Sequence, residues 1–158
     1  MSVIYWINSE PAARLAIVAR PRGNDWLEDD IKNLSTAGIE VLVSALTVPE
    51  AKELGLKNES EYSGNSNIEF ISLPIEDRSV PRFDKSFASL LRQLRERIKQ
   101  GKAVGIHCRA GIGRSSMIAA CLMVQNNMEA DEAFSRIAAG RGCPVPDTEE
   151  QNNWPVIP

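Results

Sequence analysis

The segment His107-Cys108-Arg109-Ala110-Gly111-Ile112-Gly113-Arg114-Ser115 holds the densest chemistry in the chain. It joins the apolar run Ala103-Val104-Gly105-Ile106 to a segment, Ser115 to Val124, that is apolar almost all round. A glycine-bearing turn from strand to helix lets successive N–H groups converge on one point, and the helix N-terminus adds partial positive charge there. Such a turn cradles an oxyanion such as phosphate, with Arg109, Ala110, Gly111, Ile112, Gly113 and Arg114 as its expected phosphate-binding residues. The same field favours a thiolate at Cys108, because thiols beside cations at helix N-termini drop from about 8.5 to between ~3.5 and ~7.5. The planar fork of Arg114 can chelate two phosphoryl oxygens and follow them into a trigonal-bipyramidal transition state. Ser115 is placed to donate to the sulfur when Cys108 becomes a leaving group.

Elements on either side must hold that turn. Val3 to Ile7 and Leu15 to Ala19 read as an opening pair of strands. Leu27, Ile31 and Leu34 recur at helical spacing behind a cap at Asn24 or Asp25, and Gly38 ends that helix before a strand, Ile39 to Leu46. A short helix from about Pro49 to Leu54 and a polar stretch, Lys57 to Asn67, lead to a strand at Ile68 to Leu73. Pro74 to Pro81 reads as a loop. Phe83, Phe87, Leu90, Leu91, Leu94 and Ile98 mark one face of a long helix that stops at Gly101, before the strand Lys102 to His107. Glu129 to Gly140 reads as one more amphipathic helix, and Asp147 or Thr148 caps a final short helical segment. Strands alternating with helices predict an α/β fold, a central mostly parallel sheet flanked by helices on both faces, with the phosphate-binding loop between a strand and a buried helix. Ligands of such folds sit at the carboxyl ends of strands, where this turn lies.

The chain has 158 residues, the size of one domain, and residues 1–158 read as one. Its 18 Lys+Arg against 21 Asp+Glu give a net charge of −3, which argues against a nucleic-acid partner. No apolar run approaches the length of a membrane span and the first residues lack the pattern of a signal peptide, so a cytoplasmic protein with no membrane partner is expected. Three cysteines and one histidine supply neither a disulfide framework nor a zinc site, and no metal or cofactor is expected. The oligomeric state is open, a monomer being compatible with everything above.

His107-Cys108, five residues, then Arg114-Ser115 resembles the His-Cys-x5-Arg-Ser/Thr signature of the protein tyrosine phosphatase superfamily. The likeness extends upstream, where Leu73 to Pro81 is similar to the general-acid loop of small, bacterial-type, dual-specificity-like members. That loop places Asp77 31 residues before Cys108. Downstream, Arg141-Gly142 and Pro146 to Gln151 resemble the glutamine-bearing segment of those enzymes. The resemblance implies a cysteine-dependent protein phosphatase acting on phosphotyrosine, with phosphoserine and phosphothreonine as further substrates of a shallow site. Cys108 would attack phosphorus to form a phosphocysteine while Asp77 protonates the leaving oxygen. Water would then attack, with Asp77 as base and Gln151 orienting it.

Alternatives stand beside these assignments. Glu76 or Asp84 could be the proton donor instead of Asp77. Arg109 is either a substrate-facing charge or a solvated one, and the same holds for Arg78. His107 reads as a structural hydrogen-bonding residue behind the loop, since neighbours on a strand point to opposite faces. Cys121 reads as core and Cys143 as a surface or packing thiol, the alternative being a disulfide with Cys108. Trp6, Trp26 and Trp154 read as packing anchors. A phosphoinositide phosphatase ranks below the protein phosphatase because Arg109 is the loop's only added cation. A rhodanese-like sulfurtransferase would have no use for the acid loop, and a non-hydrolysing phosphoprotein-binding module usually lacks one of the three groups filled here.

Overall fold

The structure, a computed structural model, describes residues 3–7, 14–77, 79–81, 84–110, 112–124, 128–146, 148 and 150–151. Five strands, β1 (Ile4–Ile7), β2 (Leu15–Val18), β3 (Val41–Ser44), β4 (Glu69–Ser72) and β5 (Val104–His107), form one sheet in the order β1-β2-β5-β3-β4. Only β1–β2 pairs antiparallel; the other three pairings are parallel, as βαβ crossovers require. The helices are α1 (Leu27–Thr36), α2 (Val48–Glu53), α3 (Glu59–Asn65), α4 (Lys85–Lys99), α5 (Arg114–Val124) and α6 (Ala130–Arg141).

Alternation along the central strands sends side chains into two cores. Leu15, Ile17, Val41, Val43, Val104 and Ile106 pack with residues of α4, α5 and α6 on one face. Val18, Leu42 and Ile39 pack with Leu27, Ile31 and Leu34 of α1 on the other. Helix α5 lies deepest, with every residue from Arg114 to Met123 buried. Gly105 of the central strand is a glycine for a packing reason: a Cβ there would stand 2.6 Å from Val18 Cγ2.

Several boundaries depart from the sequence reading. Neither Asn24 nor Asp25 caps α1 with its side chain; Asn24 to Trp26 instead form a 3-10 turn that runs into it. Gly38 ends the helix in a left-handed conformation, φ +102°, that favours glycine. The polar stretch Lys57 to Asn67 contains α3, a helix without an apolar stripe because its two buried residues, Glu59 and Ser63, are polar. Trp6 and Trp26 are 41% and 56% exposed rather than packing anchors, and the Arg22 guanidinium stacks 4.4 Å over the Trp26 ring. Of the final helical segment, Thr148 Oγ1 accepts from Gln151 N, while the caps and anchors read at Asp147 and Trp154 lie outside the described residues, as do Arg78 and Phe83.

Candidate active site

Strand β5 ends at His107, and period-two alternation then separates it from Cys108. His107 turns toward α3, where its Nε2 lies 2.5 Å from Glu59 Oε2, both side chains being buried. Cys108 turns toward α5 and the opposite core. Its Sγ lies 3.1 Å from Ser115 Oγ, a hydroxyl fixed in the first turn of that buried helix.

Above the sulfur is a cavity of about 150 Å³ lined by Asp77, Cys108, Arg109, Ala110, Gly113, Arg114 and Gln151. Ile112 is not among the lining residues; its carbonyl accepts from Ser116 Oγ and ties the loop to α5. Gly111 lies outside the described residues. Glu76 and Asp84, the alternative donors, line a separate neighbouring cavity, and Asp84 Oδ1 caps α4 by accepting from Phe87 N at 2.9 Å.

Arg114 is 2% exposed, and a guanidinium so buried must have partners. It donates from Nη1 and Nη2 to the two oxygens of Glu50 at 2.6 and 3.0 Å, and from Nη1 to the Ile75 carbonyl at 2.8 Å. Asp77 Oδ1 is 3.2 Å from Nη2. Burial would lower the arginine's pKa, but Glu50, Cys108 and Asp77 outweigh it and raise it. Burial would likewise push the Glu50 carboxyl up, yet hydrogen bonds from Arg114 and Thr47 hold it down to about 2. Sequence reasoning missed Glu50. Its one local signal is the capping box with Thr47 at the start of α2, where the Glu50 carboxylate accepts from Thr47 N at 3.1 Å.

Arg109 lines the cavity from its rim, where Glu50 at 3.5 Å and Glu53 at 3.6 Å pair with it. Gln151 is fully buried; its Nε2 donates to the Ser79 carbonyl at 2.8 Å, and its Oε1 accepts from Thr148 N at 3.2 Å. The glutamine thereby braces the loop that carries Asp77. Arg141, also missed as a loop contact, donates to the Ala110 carbonyl at 3.1 Å while its guanidinium lies over Tyr5. Cys121 is core, and burial pushes its thiol up to about 12; all three cysteines are free thiols. Among the described residues no group of three or more His, Cys, Asp or Glu could hold a metal ion, and no helix is long and apolar enough to cross a membrane.

A family model described as dual specificity phosphatase, catalytic domain, matches residues 31–152. The chain belongs to this family. Cyclin-dependent kinase inhibitor 3 of Rattus norvegicus is 24% identical over 130 residues, 81% of this chain and 61% of that protein. Dual specificity protein phosphatase 22 of Mus musculus is 25% identical over 81 residues, 51% of this chain and 44% of that protein. The chain therefore spans about three fifths or less of the length of these curated relatives. Among solved structures, kinase associated phosphatase with its catalytic-site cysteine replaced by serine superposes with a TM-score of 0.82 at 22% identity, over 96% of this chain and 90% of that one. PTPMT1 in complex with PI(5)P superposes with a TM-score of 0.70 at 20% identity, over 92% and 89%. These superpositions establish the dual-specificity phosphatase fold, an α/β sheet flanked by helices.

Proposed function

We propose that residues 1–158 form one catalytic domain, expected in the cytoplasm, that hydrolyses phosphotyrosine, and with it phosphoserine and phosphothreonine, in proteins. The observation that carries the reading is the meeting of Cys108 Sγ, Arg114 and Asp77 on one small cavity, with Ser115 Oγ 3.1 Å behind the sulfur.

In the first step the Cys108 thiolate attacks phosphorus, an S–P bond forms and the P–O bond to the substrate breaks. The proton of the Asp77 carboxyl passes to the departing oxygen. In the second step water attacks the phosphocysteine and gives a proton to Asp77, the S–P bond breaks, and Ser115 Oγ–H stabilises the returning thiolate. Arg114, aimed by Glu50, carries the charge of the equatorial oxygens in both steps. Gln151, which lines the same cavity, serves by holding the acid loop.

The test is steady-state phosphate release from a phosphotyrosine peptide, a phosphothreonine peptide and a soluble phosphoinositide, each with Cys108→Ser as its blank. Release from the phosphotyrosine peptide that vanishes in the blank supports the proposal. Release from the phosphoinositide alone would replace the protein substrate with a lipid headgroup, the kind of ligand held by the structure of PTPMT1. Turnover by Cys108→Ser would remove the phosphocysteine.

A further inference from the structure

A third cavity, of about 330 Å³, opens at the β4 edge of the sheet between α2 and α3 and shares no lining residue with the active-site cavity. Its volume falls at the lower end of the ~300–1,000 Å³ of small-molecule sites. Much of its wall is apolar: Ala51 of α2, the ring of Phe70 on the edge strand, and Val48 at the start of α2, which is 80% exposed. Val48 thereby offers apolar surface at this cavity that a ligand can cover.

The charges on the lining are unequal. Glu59 forms part of the cavity surface, but its carboxylate is turned inward and taken by His107. Lys52 and Lys57 are both exposed, and neither has an ion-pair partner among the described residues. A ligand therefore meets an aromatic face, aliphatic walls and two unmatched ammonium groups. We propose that this cavity is an accessory binding site for a small aryl carboxylate, its ring against Phe70 and Val48 and its carboxylate between Lys52 and Lys57. Aromatic pairing selects the ring and charge complementarity selects the head group. The site backs onto the phosphate loop, because its inner surface, Glu59, holds the residue that precedes Cys108.

The test uses 4-phenylbutyrate as the probe and 4-phenylbutan-1-ol as its uncharged counterpart, titrated into the isotopically labelled full chain and followed by backbone amide shifts. The acid should give saturable shifts at Val48, Lys52, Ser60 and Phe70, and the alcohol should bind about fivefold more weakly. Lys52→Glu combined with Lys57→Glu, both on the surface, should weaken the acid about tenfold, and Ser60→Phe, which adds a ring to the lining, should abolish saturation. Absence of saturable shifts at these residues, shifts confined to the Cys108 loop, or equal affinity of acid and alcohol would each overturn the assignment. The readout is binding alone, so a failure of the phosphatase assay leaves it intact and its own failure leaves that assay untouched.

Discussion

Asp77 Oδ1 stands 3.2 Å from Arg114 Nη2, so the loop of the proposed acid and the proposed phosphate-binding arginine meet at the cavity of the candidate nucleophile. The loop is held there from behind by Gln151 on Ser79, two residues past the aspartate. The proposed proton donor and the proposed anion clamp thus touch directly, while Glu50 and the Ile75 carbonyl hold the guanidinium and Gln151 holds the loop.

Asp77→Asn keeps the shape of that contact and removes the transferable proton. Turnover of phosphotyrosine should fall by ~10²–10⁴, whereas an activated aryl phosphate, whose leaving group needs little protonation, should lose far less. Comparing kcat on the two substrates checks this; equal losses would shift the role to Glu76 or Asp84.

Glu50 ties stability to acidity. Its folded pKa, about 2, lies below the ordinary 4.5, so its contribution is fully present above about pH 4.5 and is lost as the pH falls toward 2. A shift of that size corresponds to a contribution on the order of 3 kcal/mol at neutral pH. Glu50→Gln should lower the urea midpoint at pH 7 and flatten the decline of stability between pH 5 and pH 3. Urea unfolding across that range gives the answer; an unchanged slope would mean the carboxylate does not hold Arg114 in solution.

Gln151→Ala removes the brace on Ser79. Losing a hydrogen bond of about 1 kcal/mol should slow turnover about fivefold, with substrate affinity moving less than kcat. Steady-state kinetics separate the two parameters; a loss confined to KM would make Gln151 a substrate contact instead.

Gly105→Ala tests the close packing of the central strand. The added methyl meets Val18 at 2.6 Å and Ile39 at 3.1 Å, so a cost of ~1–3 kcal/mol is expected, read as a lowered thermal or urea midpoint. A neutral substitution would mean that the α1 layer can move aside.

How much of this could be read from the chain alone follows from distance along it. Cys108, Arg114 and Ser115 are legible because one turn contains them all, and Asp77 through the resemblance of its proline-framed loop to the general-acid loop of the family. Glu50 is not, because 64 residues separate it from Arg114 and locally it looks like an ordinary helix-capping glutamate. Glu59 is hidden for the same reason. A buried carboxylate is understood only once His107, 48 residues away, is seen opposite it, and with a polar inner face α3 has no stripe to announce it. The strands, the amphipathic helix α4 and the apolar helix α5 are plain in the sequence, since burial there is written in apolar residues.

The carboxylate of Glu50 closes the first turn of α2 and holds Arg114 at the same time. A helix of six residues is marginal by itself, so α2 depends on its cap and its packing, and its first turn is expected to open more readily than the whole protein unfolds. Each opening that releases Glu50 from Thr47 also loosens the aim of the guanidinium. Closure of this turn and the aim of the guanidinium are thereby coupled, and amide hydrogen exchange at Glu50 and Ala51 is expected to report how often the turn opens.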